Sequence, residues 1–302
     1  AALFTASLNV LVSLVRKPSS GTALLLGAVS GLALLAHNLA LLALAIYGLT
    51  VIALCARGKL RWAGLGLFAT GWLVGSSAYL AMTARLAGEV GLPAAIKSAL
   101  FGQSWQSNVL GGSGRAVVMG TGYILYNFPN AALILAAAGA WALRKGSLRA
   151  TRWPMLGLAG IFLLFAIRYT VVDQFMFFVP FYAMVAVLAG VGLGSLRPAR
   201  YAWVLPAATA TMLIGPVLYA VMPAAARAAH LSAPGRSDLP FRDPARYWYS
   251  PWKAREDSAG LFARAALESV PADSTIIADG TSLYPLLWTQ RVDRLGPNVE
   301  LT

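Results

Sequence analysis

Few residues in this 302-residue chain have side chains that could do chemistry, because 58% of it is apolar and only 12% is charged. The most suggestive set is Arg168-Tyr169-Thr-Val-Val-Asp173-Gln174. A short loop bearing a cation and an acid at the edge of a bilayer could hold a lipid phosphate. Arg168 would clamp the phosphate with a forked set of N–H donors. Asp173 would orient a sugar hydroxyl or act as a base. The structural alternative is that Arg168 snorkels to the interface while Asp173 pairs with it or caps the next helix.

Other candidates carry less. His37-Asn38 is the only strongly polar break in an apolar run over residues 22–56. It is either a functional pair or a turn whose side chains satisfy free backbone groups. Gly111-Gly-Ser-Gly114-Arg115 has the composition of an anion-binding loop, and also of a plain flexible loop. Trp105, Gln103 and Gln106 could stack on and hydrogen-bond a sugar, or Trp105 could anchor at the interface. Asp279 precedes Gly280-Thr-Ser, where open α/β sheets place ligands. The same residues make a helix start, with Ser282 or Thr281 as cap. No nucleophile–base pair, metal-ligand spacing or Walker-type loop is present. One cysteine, Cys55, and two histidines exclude a Cys/His zinc site built within this chain.

The elements that must position these residues follow from hydropathy and charge. Mean hydropathy is +0.67, and a soluble domain carries about 25% charged residues. The net charge is +13, which in a soluble protein would point to nucleic acid. Here the excess lies wholly in residues 1–222, whose only acids are Glu89 and Asp173. Most of those cations fall in four acid-free loops: Arg16/Lys17, Arg57/Lys59/Arg61, Arg144/Lys145/Arg149/Arg152 and Arg197/Arg200. Basic loops between bilayer-length apolar runs are the positive-inside pattern of a polytopic membrane protein, so no nucleic-acid partner is expected.

A bilayer core of about 30 Å needs about 20 helical residues. Residues 1–15 read as the end of a cut helix. Residues 22–56 would span about 52 Å as one helix, so they read as a hairpin, 22–36 and 39–56, turning at His37-Asn38; a single long helix, against which only Arg16 and Lys17 would break the charge rule, is the alternative. Further spans are predicted at 62–82, 153–167, 174–194 and 202–222. Residues 83–115 read as a long outer loop with an interfacial helix near 93–101. Residues 116–143 read as a lead-in segment and a helix starting near Pro129.

The fold class expected is thus a polytopic α-helical membrane protein of about eight spans, truncated at its N-terminus, with a C-terminal outer-side α/β segment. Residues 1–222 form the transmembrane domain and 223–252 an extended interfacial linker. Residues 253–302 form a partial α/β domain outside. In that domain, 253–269 reads as an amphipathic helix and Ser274–Asp279 as a buried strand. A short helix over 283–290 and a second strand from Asn298 follow, the chain stopping in mid-strand. The expected location is a bacterial inner membrane with the tail outside.

Several motifs carry a resemblance. They are Gly31-Leu-Ala-Leu-Leu-Ala-His37-Asn38-Leu, Tyr126-Asn-Phe-Pro129, Tyr169-Thr-Val-Val-Asp173-Gln-Phe-Met-Phe-Phe-Val-Pro-Phe-Tyr182, Pro251-Trp-Lys-Ala-Arg-Glu-Asp257-Ser and Ala278-Asp-Gly-Thr-Ser-Leu-Tyr-Pro285. Together they resemble a polytopic family catalogued as a domain of unknown function, similar to the protein O-mannosyltransferases of the GT-C glycosyltransferase superfamily. The resemblance implies transfer of a sugar from a polyprenyl-phosphate donor to a protein or glycan hydroxyl on the outer face, with no other cofactor. It also implies a main catalytic acid in a first outer loop, for which this chain offers no equivalent. Asp173 is then a supporting catalytic residue. Arg168, Tyr169, Gln174, His37 and Asn38 are substrate-binding. A transporter or flippase for a lipid-linked sugar, and a non-catalytic membrane scaffold, are the alternative readings.

Overall fold

The computed structural model describes residues 2–101, 111–171, 174–231, 239–253 and 256–302, with the side chain of Ser147 excepted. It is helical almost throughout and divides into two compact units, Ala1–Leu213 and Ile214–Thr302.

The first unit begins with α1 (Ala2–Arg16), α2 (Ser20–Ala36) and α3 (Ala40–Ala56). The expected hairpin break is present: α2 ends at Ala36, and α3 begins after His37-Asn38-Leu39. Next come α4 (Ala63–Gly75), α5 (Ser77–Val90) and α6 (Leu92–Phe101). Here the expected single span over 62–82 is corrected. The helix bends by 67° at Ser76 and continues to Val90, so residues 83–90 are helix rather than loop. Arg85 and Glu89, one turn apart with Nε 3.6 Å from Oε1, support that polar extension.

Then come α7 (Gly114–Asn127) and α8 (Ala132–Ala142), bent by 100° across Phe128–Ala131. The helix expected from Pro129 thus starts at Ala132. Asn130 Oδ1 accepts the Ala132 N–H at 2.9 Å and tethers the turn. A 3₁₀ turn over Gly146–Thr151 leads into α9 (Arg152–Arg168). Another over Gln174–Phe178 leads into α10 (Val179–Gly194), and α11 (Pro198–Met212) follows.

Glycines set the packing. A Cβ built on Gly31 would lie 2.5 Å from the Trp72 carbonyl oxygen and 2.8 Å from the Ser76 nitrogen. A Cβ on Gly27 would meet the Phe68 carbonyl, one on Gly71 that of Leu24 and one on Gly75 that of Ala28, all still more closely. Backbone thus touches backbone along α2 and α4, the close approach that small residues four apart permit between membrane helices. The matched positions rise together, so α2 and α4 run parallel, with α3 returning between them. Gly139 and Gly192 join α8 and α10 in the same way. The Phe128 ring stands edge-on to Tyr182, centroids 5.3 Å apart, which makes that pair parallel too. The core between these groups holds Leu14, Leu26, Tyr47, Val51, Leu158 and Met184, each no more than 1% exposed. Within it, Tyr47 Oη bonds Ser7 Oγ at 2.7 Å, tying α3 to α1.

The parallel pairs place the charge. Arg16/Lys17 precede α2 and Arg57–Arg61 precede α4, so both loops lie at one end. Arg144 follows α8 and Arg197 follows α10, so these loops also share an end. A cavity lined by Arg57, Lys59, Arg149 and Arg152 joins the two sets. All four basic loops therefore lie at one end of the unit.

Among the described residues, three stretches are long and apolar enough to cross a membrane: Leu148–Arg168, Gln174–Gly194 and Pro198–Ala228. The two bent pairs raise that number to five if each is one span. This fits a multi-pass membrane protein. At 15, 17 and 17 residues, α1, α2 and α3 are apolar but shorter.

The second unit holds α12 (Ile214–Ala228), α13 (Pro244–Tyr249), α14 (Ser258–Ser269), β1 (Thr275–Ile276), α15 (Gly280–Val292) and β2 (Glu300–Leu301). The linker expected to be extended over 223–252 instead carries the end of α12 and the whole of α13, which Asp243 caps. The strands pair in parallel, Thr275 opposite Glu300 and Ile276 opposite Leu301. Ala263, Leu267, Leu286 and Val299 form a small core under them. The buried strand expected over Ser274–Asp279 shrinks to two residues, and Ile277 beside them is 86% exposed. The helix expected over 283–290 is longer at both ends.

Its cap is also corrected: Asp279, not Thr281 or Ser282, caps α15. Asp279 Oδ1 accepts from Thr281 Oγ1 at 2.7 Å and from the backbone N–H groups of Thr281 and Ser282. The Thr281 hydroxyl first, then the Ser282 N–H, hold this carboxyl down from 3.8 to about 2. A pKa depressed in the folded state stabilises above the unfolded value and ceases to as pH falls through the folded one. The first turn of α15 should therefore lose protection from hydrogen exchange between pH 3.8 and about 2, after correction for intrinsic rates. An Asp279→Ala chain should lack that step.

Candidate functional site

At the end opposite the basic loops, α2 stops at Ala36 and α9 stops at Arg168. Each stops where polar residues interrupt an apolar run. Between them lies a cavity of about 640 Å³. Its polar lining is His37, Asn38, Arg168 and Tyr169. Its apolar lining includes Leu39, Leu42, Leu100, Leu164, Phe165 and Phe177.

Local hydrogen bonds fix the polar groups. The Leu39 N–H donates to His37 Nδ1 at 3.1 Å, so the neutral ring carries its proton on Nε2. Asn38 Nδ2 and Tyr79 Oη both donate to the Ala99 carbonyl, at 3.0 and 2.8 Å. That carbonyl belongs to the last turn of α6, where the helix leaves acceptors unused. The α2–α3 break is thereby pinned to α5 and α6. Arg168 Nε donates to the Gly111 carbonyl at 3.2 Å. Gly111 belongs to the glycine-rich segment, whose Ser113 caps α7 by accepting the Ala116 N–H at 3.1 Å.

Aromatic rings form one wall. Phe177 stands edge-on to Tyr169 at 4.3 Å and to His37 at 6.3 Å, and Phe165 stacks on Tyr169 at 5.3 Å. The arrangement is amphipathic: a cation and an imidazole at the rim, leucine and phenylalanine below. It suits a ligand with an anionic head and a hydrocarbon body.

Of the residues singled out from sequence, His37, Asn38, Arg168 and Tyr169 line this cavity together. Gln174 is 5% exposed and lies outside the lining, with Nε2 donating to the Ala166 and Ile167 carbonyls at 2.8 and 3.3 Å. Asp173, Gln103, Trp105 and Gln106 lie outside the described residues. Asp279 belongs to the second unit and caps α15. Sequence reasoning missed Tyr79 and the phenylalanine wall. The repeated Phe in Gln174-Phe-Met-Phe-Phe was the available signal for the wall. Among the described residues, no three His, Cys, Asp or Glu side chains gather as metal ligands. No family model, curated protein or solved structure matches this chain.

Proposed function

We propose that this chain is a membrane glycosyltransferase-like protein that takes a sugar from a polyprenyl-phosphate donor on the outer face of a bacterial inner membrane. The amphipathic cavity at the end opposite the basic loops carries the reading. The Arg168 guanidinium meets the phosphate, and His37 Nε2–H is a second donor to it. The first isoprene units lie against Leu164, Phe165 and Phe177. An acceptor hydroxyl attacks the anomeric carbon. The bond from that carbon to the phosphate oxygen breaks, and its electron pair stays on the phosphate, where Arg168 stabilises the charge as it develops. A carboxylate takes the hydroxyl proton, with Asp173 as the supporting candidate. In this reading α1, α2 and α3 also cross the bilayer, giving about eight spans. Residues 253–302 form an outer α/β segment that presents the acceptor.

The test is mass spectrometry of protein purified in mild detergent. A polyprenyl-phosphate sugar should co-purify with the intact protein. Arg168→Ala should reduce its retention about ten- to hundredfold, the cost of one charge-assisted hydrogen bond, while the fold loses only the exposed bond to Gly111, about 1 kcal/mol. Arg168→Lys should retain part of it. An absence of bound lipid in folded protein, or equal retention by Arg168→Ala, would sink the assignment. Bound donor that is moved across vesicles without ever losing its sugar would favour a flippase.

A further inference from the structure

The second large cavity lies at the basic end of the first unit and plays no part in the proposed transfer. Its volume is about 610 Å³, within the range of about 300–1,000 Å³ typical of ligand sites. Arg57, Lys59, Arg149 and Arg152 line it, and no carboxylate does. Among the described residues, none of these four cations forms a salt bridge.

The backbone is built to bring them together. Gly58 has φ +65° and follows the end of α3. Its N–H donates to the Cys55 carbonyl at 2.9 Å, and that of Lys59 to the Leu54 carbonyl at 2.9 Å. This is a Schellman turn, which requires the left-handed residue that glycine supplies. It sets Arg57 and Lys59 on either side of the turn. Gly146, with φ +70°, starts the 3₁₀ turn that follows α8 and carries Arg149. Arg152 opens α9 where it continues out of that 3₁₀ turn, its own N–H donating to the Arg149 carbonyl. The Arg152 Nε is buried and meets no acceptor among the described residues. A buried guanidinium nitrogen in that state calls for an anion. Trp153 beside it is 69% exposed, and Trp141, with Arg144 stacked 3.7 Å above it, is 63% exposed. Exposed tryptophans at the ends of apolar helices mark headgroup depth.

We infer that this cavity binds a phosphate group, that of an anionic phospholipid headgroup drawn from the leaflet at the basic end. Like charges held this close repel one another, and a phosphate relieves that repulsion while accepting the forked Arg donors. The site does not depend on the proposed transferase activity.

The test compares melting temperatures of the full chain in nanodiscs of phosphatidylcholine alone and of phosphatidylcholine with phosphatidylglycerol. Phosphatidylglycerol should raise the melting temperature. Its retention should fall about thirtyfold (about 2 kcal/mol) in Lys59→Gln/Arg149→Gln, from the loss of two cations that donate directly to the phosphate. Arg197→Gln/Arg200→Gln removes the same charge from a basic loop outside the cavity and should leave retention unchanged. Inorganic phosphate or pyrophosphate, added in phosphatidylcholine nanodiscs, separates the sources. A rise with phosphate alone that depends on Lys59 and Arg149 assigns the site to a free anion instead of a lipid. Absence of any rise, or equal loss in both double variants, overturns the site, since diffuse charge would then explain the binding.

Discussion

Gly75→Ala is expected to destabilise the first unit by about 3 kcal/mol or more, whereas Gly66→Ala in the same helix stabilises it by about 0.5–1 kcal/mol. A Cβ on Gly75 would drive into the Ala28 carbonyl and come within 3.0 Å of the Leu32 nitrogen. Both are backbone atoms of α2, so no side chain can rotate away. The helices must part, and the neighbouring contacts at Gly27, Gly31 and Gly71 loosen together. At Gly66 a Cβ meets nothing within 4 Å. There the added methyl only restricts the unfolded chain. Melting temperatures of the two variants in one detergent check the pair. Similar values for both would mean that α2 and α4 do not touch through their backbones. Gly31→Ala reports on the opposite helix and should resemble Gly75→Ala.

That interface also marks what the sequence withholds. Glycines four apart at 27/31 and 71/75 are visible in the sequence, but nothing there says that α2 pairs with α4 rather than α3. Helix ends were legible where a polar pair or a basic loop interrupts an apolar run, because unsatisfied polar groups are costly in hydrocarbon. His37-Asn38 is the clearest case. The bend at Ser76 was not read from the sequence: Gly75-Ser76-Ser77 interrupts the run only with small residues, and the Ser76 hydroxyl donates to the Trp72 carbonyl at 2.7 Å. Nor was helix beyond residue 82, since Arg85 and Glu89 read as loop once hydropathy alone is followed. In the second unit, Ser274–Asp279 has the residues of a strand, yet β2 pairs with only Thr275 and Ile276.

The candidate site divides in the same way. His37, Asn38, Arg168 and Tyr169 stand out because polar side chains are rare in an apolar chain. The other half of the cavity is made of residue types that occur everywhere in this sequence. Leu164 and Phe165 carry no contrast against their neighbours, and Phe177 is marked only by its place in the Phe-rich run after Gln174. Only the ends of α2 and α9 meeting beside α6 single them out.

Gln174 shows how the fold sets that cavity, and its replacement is the second large expected effect. The last carbonyls of a helix have no partner within it. In α9 these include Ala166 and Ile167, and Ala166 is fully buried. Gln174 Nε2 donates to both carbonyls and folds the following turn back onto the helix end. Tyr169 leaves that end and Phe177 returns along it, which brings their rings to 4.3 Å. Gln174→Leu keeps the side chain's bulk but removes the donor. The Ala166 carbonyl then stays buried without that donor and the half-buried Ile167 carbonyl loses it too, at a cost of about 3 kcal/mol. The chain should melt earlier, and exchange at the Arg168 and Tyr169 amides should rise as the turn detaches. Met176→Leu, in the same turn but 57% exposed, should change neither. If Gln174→Leu melts as the unaltered chain does, another group caps α9, and the position of Arg168 at the rim owes nothing to Gln174. If it melts early while exchange stays low, the loss lies in general packing rather than in the cap. Early melting with raised exchange at both amides ties the cavity's shape to one buried amide.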